Sequence, residues 1–437
     1  MSSLLICSTP AHGHVTPLLA IARHLVARGD TVSFLTSSRY RDRVLETGAR
    51  FLPLPDEADV DLDDAASVPG RAGLTGTAAL RFDMRNLFLR PGAAQYRELV
   101  RLLAAERFDA VLTEPLFVGA ALLVERPRNE RPPVVALGIF PLGVKSRDTA
   151  PFGLGIPPRP GWTGRIRNAV LTAVAEKGVF GPVAREADAL ARREVGRGFG
   201  LFFLDWQSGA DAIVQFSVPE FEYPRSDLSP RVTFVGPLPA PSGPARVPEW
   251  WGELDGSRRV VHVSQGTIAN ADPTQLMVPT IRALGDRPDL LVVVSTGGRP
   301  VADLLPDLPP NVRAASYLPY DRLLPLVDLM VTNGGFGGVQ QALAHAVPLV
   351  VAGRTEDKVE VAARVGWSGV GIDLRTNTPS AAEVGGAVHR VLSAPRFRER
   401  AGEVAGAMAS APGLAGLDAV LAELAGASVR ERSRPSA

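Results

Sequence analysis

Short apolar runs of four to six residues recur along this chain, and each leads into a stretch where apolar positions fall at steps of three and four. The runs are 4–8, 31–36, 50–54, 110–113, 134–139 and 212–216, then 260–264, 290–295, 312–317, 329–332, 348–352 and 370–373. They are too short for helices, and the spacing between them suits amphipathic helices or loops. After 4–8, Leu18, Ile21, Ala22, Leu25 and Val26 recur at helical spacing. Thr16 suits an N-cap, Pro17 a first helical residue and Gly29 a stop. The unit is strand, loop, helix, strand, and its repetition predicts an α/β chain with parallel sheets covered on both faces. Residues 59–90 and 141–162 show no clean period and read as long loops near a site.

Residues 218–248 hold eight prolines and little periodicity, which predicts a linker. The alternation then restarts. The expected domains are 1–217 and 249–410, joined by the linker 218–248. A final helix over 411–427, with Leu414, Leu417, Val420, Leu421 and Leu424 on one face, is expected to pack back on the first domain. Residues 428–437 read as a disordered tail. Two doubly wound halves place a ligand at the carboxyl ends of the strands, in the cleft between them.

One stretch organises the second half: V-T-N-G-G-F-G-G-V-Q-Q-A-L, residues 331–343. An apolar run ends in four glycines and turns directly into a helical pattern. Bare backbone N–H groups at such a turn, with the positive end of the helix dipole, form an anion site, and the usual anion is phosphate. A tight turn that needs glycine only for its dihedrals is the plainer alternative.

Charge narrows the partners. Against 46 acidic residues stand 47 basic ones, a net charge of +1, with no basic stripe for nucleic acid and no polybasic cluster for an anionic membrane. Cys7 stands alone, and the six histidines show no H-E-x-x-H spacing, so neither a disulfide nor a metal motif is expected. No apolar run reaches the ~18 residues of a spanning helix. The chain enters its first strand without a signal-like segment, which predicts a cytoplasmic protein, and the Ala/Arg/Gly/Pro bias suggests a bacterial source.

The chain resembles the UDP-glycosyltransferase superfamily with the GT-B fold, most closely its bacterial macrolide and natural-product members. The resemblance rests on segments 11–17, 108–114, 235–237, 263–267, 317–319, 333–343 and 348–365, in that order and spacing. It implies two Rossmann-like domains facing each other across a cleft. It also implies that His14, in the Gly-His-x-x-Pro loop, is the general base, a role that an imidazole titrating near neutrality suits. His12 lies two residues earlier and is the weaker candidate. The family's orienting aspartate maps to Glu114, a departure that changes the reach by one methylene. In the second half the resemblance assigns the nucleotide-sugar to Gly266, Thr267, Tyr317, Leu318, Asn333, Gly335, Gly337, Gly338, Gln341, Asp357 and Lys358. Tyr317 either stacks on the base or belongs to the core, with Leu318 supplying backbone contacts. Asn333 replaces the family's histidine, Gln341 its ribose-binding glutamate, and Lys358 its glutamine beside Asp357. Lys358 meets a sugar oxygen or a charged substituent, or else pairs with Glu360.

The resulting expectation is an inverting, metal-independent glycosyltransferase of hexosyltransferase type, without a cofactor. Its donor is a UDP- or dTDP-sugar. Its acceptor is a small hydrophobic natural product, held by Phe88, Phe140 and Phe152 unless these are core. Two rivals remain. The four departures motivate a non-catalytic nucleotide-sugar-binding or auxiliary protein. A dinucleotide-dependent oxidoreductase is disfavoured because no G-x-G-x-x-G follows the first strand.

Overall fold

The computed structural model describes residues 1–62, 68–239, 247–267 and 270–432, the last five by backbone alone. Two parallel sheets organise it. The first has seven strands in the order β3-β2-β1-β4-β5-β6-β7: β1 Ser3–Cys7, β2 Thr31–Thr36, β3 Arg50–Pro53, β4 Ala110–Thr113, β5 Val134–Gly138, β6 Ala212–Gln215 and β7 Val232–Phe234. The second has six in the order β10-β9-β8-β11-β12-β13: β8 Arg259–Ser264, β9 Leu290–Ser295, β10 Val312–Ala315, β11 Leu329–Thr332, β12 Leu349–Val351 and β13 Gly371–Asp373. Central strands such as β1, β4, β5, β9 and β11 are buried along nearly their whole length, as helices on both faces require.

The strand order reverses beside β1 in the first sheet and beside β8 in the second. Register places Cys7 opposite Thr113, and Thr332 opposite both Ser264 and Val351. The loops leaving β1 and β4 are therefore neighbours, as are those leaving β8, β11 and β12. These are the switch points where open α/β sheets hold ligands.

The last helix, Leu414–Arg432, belongs to the first domain's core. Leu417, Val420 and Leu421 pack with Leu4, Ile6 and Leu18, while Asp418 meets His24 at 3.0 Å and Arg28 at 2.5 Å. The preceding helix, Pro395–Ser410, instead packs Ala401, Val404 and Met408 against Phe336 and Val339 of the second domain. Among the described residues no single helix is long and apolar enough to cross a membrane.

Four expectations need correction. The first helix starts at His12 rather than Pro17 and runs to Ala27. Pro17 forfeits one ladder bond in a helix that opens loosely, with the N–H groups of His14 and Val15 sharing the Ala11 carbonyl at 3.0 and 2.9 Å. The stretch 59–90 holds a helix, Gly76–Asp83, which passes through a π-helical segment, Met84–Leu89, into Arg90–Ala105. The π-turn adds a residue and erases the 3.6 period that would have disclosed it. Within 218–248, β7 extends the first sheet as an edge strand, the position where flanking prolines are tolerated. The final helix continues through Arg432, beyond the expected start of the tail at 428. Residues 240–246 of the expected linker and 433–437 of the expected tail lie outside the described residues.

Candidate active site

His14 sits in the first turn of the helix that follows β1, and Glu114 directly follows β4. Adjacency of those strands brings the two together: Nδ1 of His14 lies 3.0 Å from Oε2 of Glu114. Glu114 is fully buried. Its Oε1 accepts the Thr9 N–H at 3.0 Å and the Thr9 hydroxyl, and its Oε2 accepts the Leu116 N–H at 2.7 Å. Burial alone would push the carboxyl up. The His14 charge, the Thr9 hydroxyl and the Leu116 N–H outweigh it and hold the group below the ordinary carboxylate range. His14 shows the converse balance: burial favours the neutral ring, but Glu114, then Asp357 and Glu356, raise it above the ordinary imidazole value. His12, by contrast, turns its Nδ1 to Arg43 at 3.3 Å.

Asp357 belongs to the other domain, and its charge is among those that raise His14. It follows β12 and caps the helix Lys358–Ser368. The turn presenting it includes Glu356 at φ 56°, a left-handed conformation uncommon for a side-chain-bearing residue. Burial raises the Asp357 carboxyl, opposed by Lys358. Lys358 is buried and forms its ion pair with Glu356, correcting the expected pairing with Glu360. Glu360 is occupied elsewhere, accepting the N–H groups of Gly153 and Gly155 and binding Arg364.

The two glycine turns lie side by side. Gly266 adopts φ 77° after β8, with Thr267 exposed beside it. Asn333 ties the turns together: its Nδ2 donates to the Gln265 carbonyl at 2.5 Å and its Oδ1 accepts the Gly335 N–H at 3.4 Å. The amide expected to face phosphate thus also holds the scaffold. Gly335 caps the helix Phe336–Ala344 without any side-chain cap, and Gly337 is exposed on its first turn, next to Gly338. Their N–H groups lie in the first turn, at the positive end of the helix. Gln341 donates to the Leu238 carbonyl at 2.8 Å, tying this helix to the interdomain segment. Tyr317 is 62% exposed, which removes its core alternative, while Leu318 is buried.

On the acceptor side, Phe140 lies 5.9 Å from His14, ring to ring, and Phe152 lies 6.2 Å from Phe140. Phe88 does not join them: it packs half-buried on the first domain's core. Sequence reasoning missed Thr9, Gln265 and Glu222, and the roles of Glu360 and Arg364. The last two had one visible trace, an i,i+4 charge pair inside the apolar stretch V-E-V-A-A-R-V. No three His, Cys, Asp or Glu side chains converge as a metal site among the described residues.

Comparison with known proteins adds the family. Residues 284–424 match the family described as erythromycin biosynthesis protein CIII-like, C-terminal domain. The 4'-demethylrebeccamycin synthase of Lentzea aerocolonigenes is 42% identical over 404 residues, covering 91% of this chain and 93% of that protein. The UDP-glucosyltransferase 1 of Beauveria bassiana is 36% identical over 426 residues, covering 91% and 90%. The crystal structure of a calicheamicin glycosyltransferase superposes with a TM-score of 0.73 at 22% identity, covering all of both chains, and shares the fold.

Proposed function

This chain belongs to the UDP-glycosyltransferase family, close to its natural-product members, and from that premise we propose that it is an inverting, metal-independent transferase using a UDP- or dTDP-sugar. It is a glycosyltransferase, so neither the auxiliary-protein nor the oxidoreductase reading stands. The proposal is carried by one observation: the His14–Glu114 pair at 3.0 Å, facing Asp357 from the other domain.

Glu114 fixes the proton of the neutral ring on Nδ1, leaving Nε2 of His14 to take the acceptor proton. The acceptor oxygen then forms its bond to the anomeric carbon as the bond to the diphosphate breaks on the opposite face. An α-linked donor yields a β-glycoside, and the nucleoside diphosphate leaves with the electron pair. Asp357 suits the hydroxyls of the donor sugar. The charge gathering on the diphosphate meets the N–H groups of Gly337 and Gly338 and the turn at Gly266, a preorganised electrostatic sink that serves in place of a metal. Phe140 and Phe152 line the acceptor side, which suits a hydrophobic aglycone.

The test combines turnover and binding. UDP- and dTDP-glucose are supplied with the aglycone of 4'-demethylrebeccamycin, with and without EDTA, to the wild type and to His14→Ala. Transfer with inversion, unaffected by EDTA and lost in His14→Ala, is expected. Calorimetry with UDP, dTDP, GDP and NAD separates lost chemistry from lost donor binding. Undiminished turnover by His14→Ala would overturn the base assignment.

A further inference from the structure

A buried ion cluster closes the seam between the domains directly behind the site. Arg364, 1% exposed, lies on the helix that Asp357 caps. Its Nε donates to Glu222 and one Nη to Glu360, both at 2.8 Å, and its other Nη reaches the Leu142 carbonyl at 3.3 Å. Its guanidinium stacks 4.2 Å above the ring of Tyr223. Glu222 in turn accepts the Leu142 N–H at 2.9 Å, and Arg225 donates to the Leu142 carbonyl at 2.7 Å. The second carboxylate, Glu360, uses its remaining oxygen on the first domain, accepting the N–H groups of Gly153 at 2.8 Å and Gly155 at 2.9 Å.

Those two glycines follow Phe152. Their loop lies so close to the helix that a Cβ on Gly155 would come within 2.6 Å of the Val359 side chain and 2.8 Å of its carbonyl. Phe152 leans on Phe140, and Phe140 on His14. One turn of helix thus presents Asp357 to the donor side at its start and, three residues on, holds the acceptor wall through Glu360.

We propose that Glu360, braced by Arg364, is a positioning residue for the acceptor: it fastens the 153–155 loop to the donor domain and so sets where the Phe152–Phe140 wall stands relative to His14. This rests on the transfer reaction proposed above. Its oxygen is well suited to the task. A carboxylate accepting two backbone N–H groups makes charge-assisted bonds, and a loop with two of its donors so held has little freedom to swing. The latch bonds share no residue with the bonds that tie the glycine turns at Gln265, Asn333 and Gly335.

The test is a set of three variants, Glu360→Ala, Glu360→Gln and Gly155→Ala, assayed with the aglycone of 4'-demethylrebeccamycin and the donor the wild type uses. Glu360→Ala frees both N–H groups. Glu360→Gln keeps an oxygen for them while its NH2 turns toward the Arg364 guanidinium, itself a donor. Gly155→Ala, at φ 59°, pushes the loop off the helix by contact while leaving the ion cluster intact. Expected is a rise in acceptor KM on the order of tenfold in Glu360→Ala and Gly155→Ala, the factor that one lost hydrogen bond to a charged group brings. Donor KM stays within about twofold, and Glu360→Gln recovers part of the loss. Hydrogen exchange at Gly153 and Gly155 rises in Glu360→Ala and Gly155→Ala, a readout independent of turnover. If exchange is unchanged in Glu360→Ala, the latch is refuted. If exchange rises while acceptor KM holds, or donor KM rises equally, the residue is structural only. Absence of transfer in the wild type would instead count against the proposed reaction, with the exchange result still readable.

Discussion

Replacing Glu114 by glutamine tests the pairing at its most constrained point. Both carboxylate oxygens already accept backbone N–H groups, Oε1 from Thr9 at 3.0 Å and Oε2 from Leu116 at 2.7 Å, so an amide NH2 meets a donor in either orientation. One buried donor is left unmatched, which costs about 1–3 kcal/mol of stability. If the NH2 takes the Oε2 side, it faces Nδ1 of His14 and selects the tautomer protonated on Nε2, which is no base. If it takes the other side, an oxygen still meets Nδ1 but the charge that stabilises the imidazolium is gone. A positioned base is worth about 10²–10⁴-fold, so kcat is expected to fall by up to that factor, about 3–5 kcal/mol. Because Glu114 raises His14, the acid limb of kcat/KM should also move to lower pH in Glu114→Gln. The assays are kcat and KM across pH, with a thermal melt to separate the stability cost and nucleotide calorimetry to show the donor site intact. A variant with wild-type kcat and an unmoved acid limb would falsify the argument.

Three further outcomes are expected. Tyr317→Ala should weaken UDP or dTDP binding by roughly tenfold, as loss of a stacking platform worth about 1–3 kcal/mol would, without lowering the melting temperature, because the side chain is 62% exposed. Gly337→Phe should abolish nucleotide binding in calorimetry while the protein stays folded, since a Cβ there meets nothing within 4 Å. His262, fully buried with Nδ1 on the Val293 carbonyl and Nε2 on the Tyr320 hydroxyl, both at 2.9 Å, is lowered by burial to about 4. Its folded value lies below the ordinary imidazole value of about 6.5, so the unfolded chain binds the proton first and stability falls as pH drops from about 6.5 to 4. That loss is about 3 kcal/mol, read as denaturant midpoint against pH, and a His262→Phe variant should lack this contribution to the slope.

The sequence by itself determined the strands other than β7, the doubly wound order and the glycine turn, and it pointed to residues of chemical interest. These are local properties: apolar runs bounded by turn residues specify strands, and His14, Glu114, Asn333 and Asp357 all sit within a few residues of a strand's end. It misplaced what depends on register or on partners. The helix Gly76–Asp83 was hidden by the π-turn after it, and Phe88 gave no sign of whether it faces the cleft or the core. The one-methylene departure at Glu114 was undecidable along the chain, because its reach depends on Thr9 and Leu116, brought to it by the β1–β4 pairing. Tertiary structure alone decided that Lys358 pairs with Glu356, that Asn333 spans to Gln265, and that Glu360 and Arg364 bind residues 142, 153, 155 and 222. Side-chain hydrogen bonds act over about 3 Å, whereas these partners stand up to 222 positions apart, and only the packing of two sheets across a cleft brings them within that range.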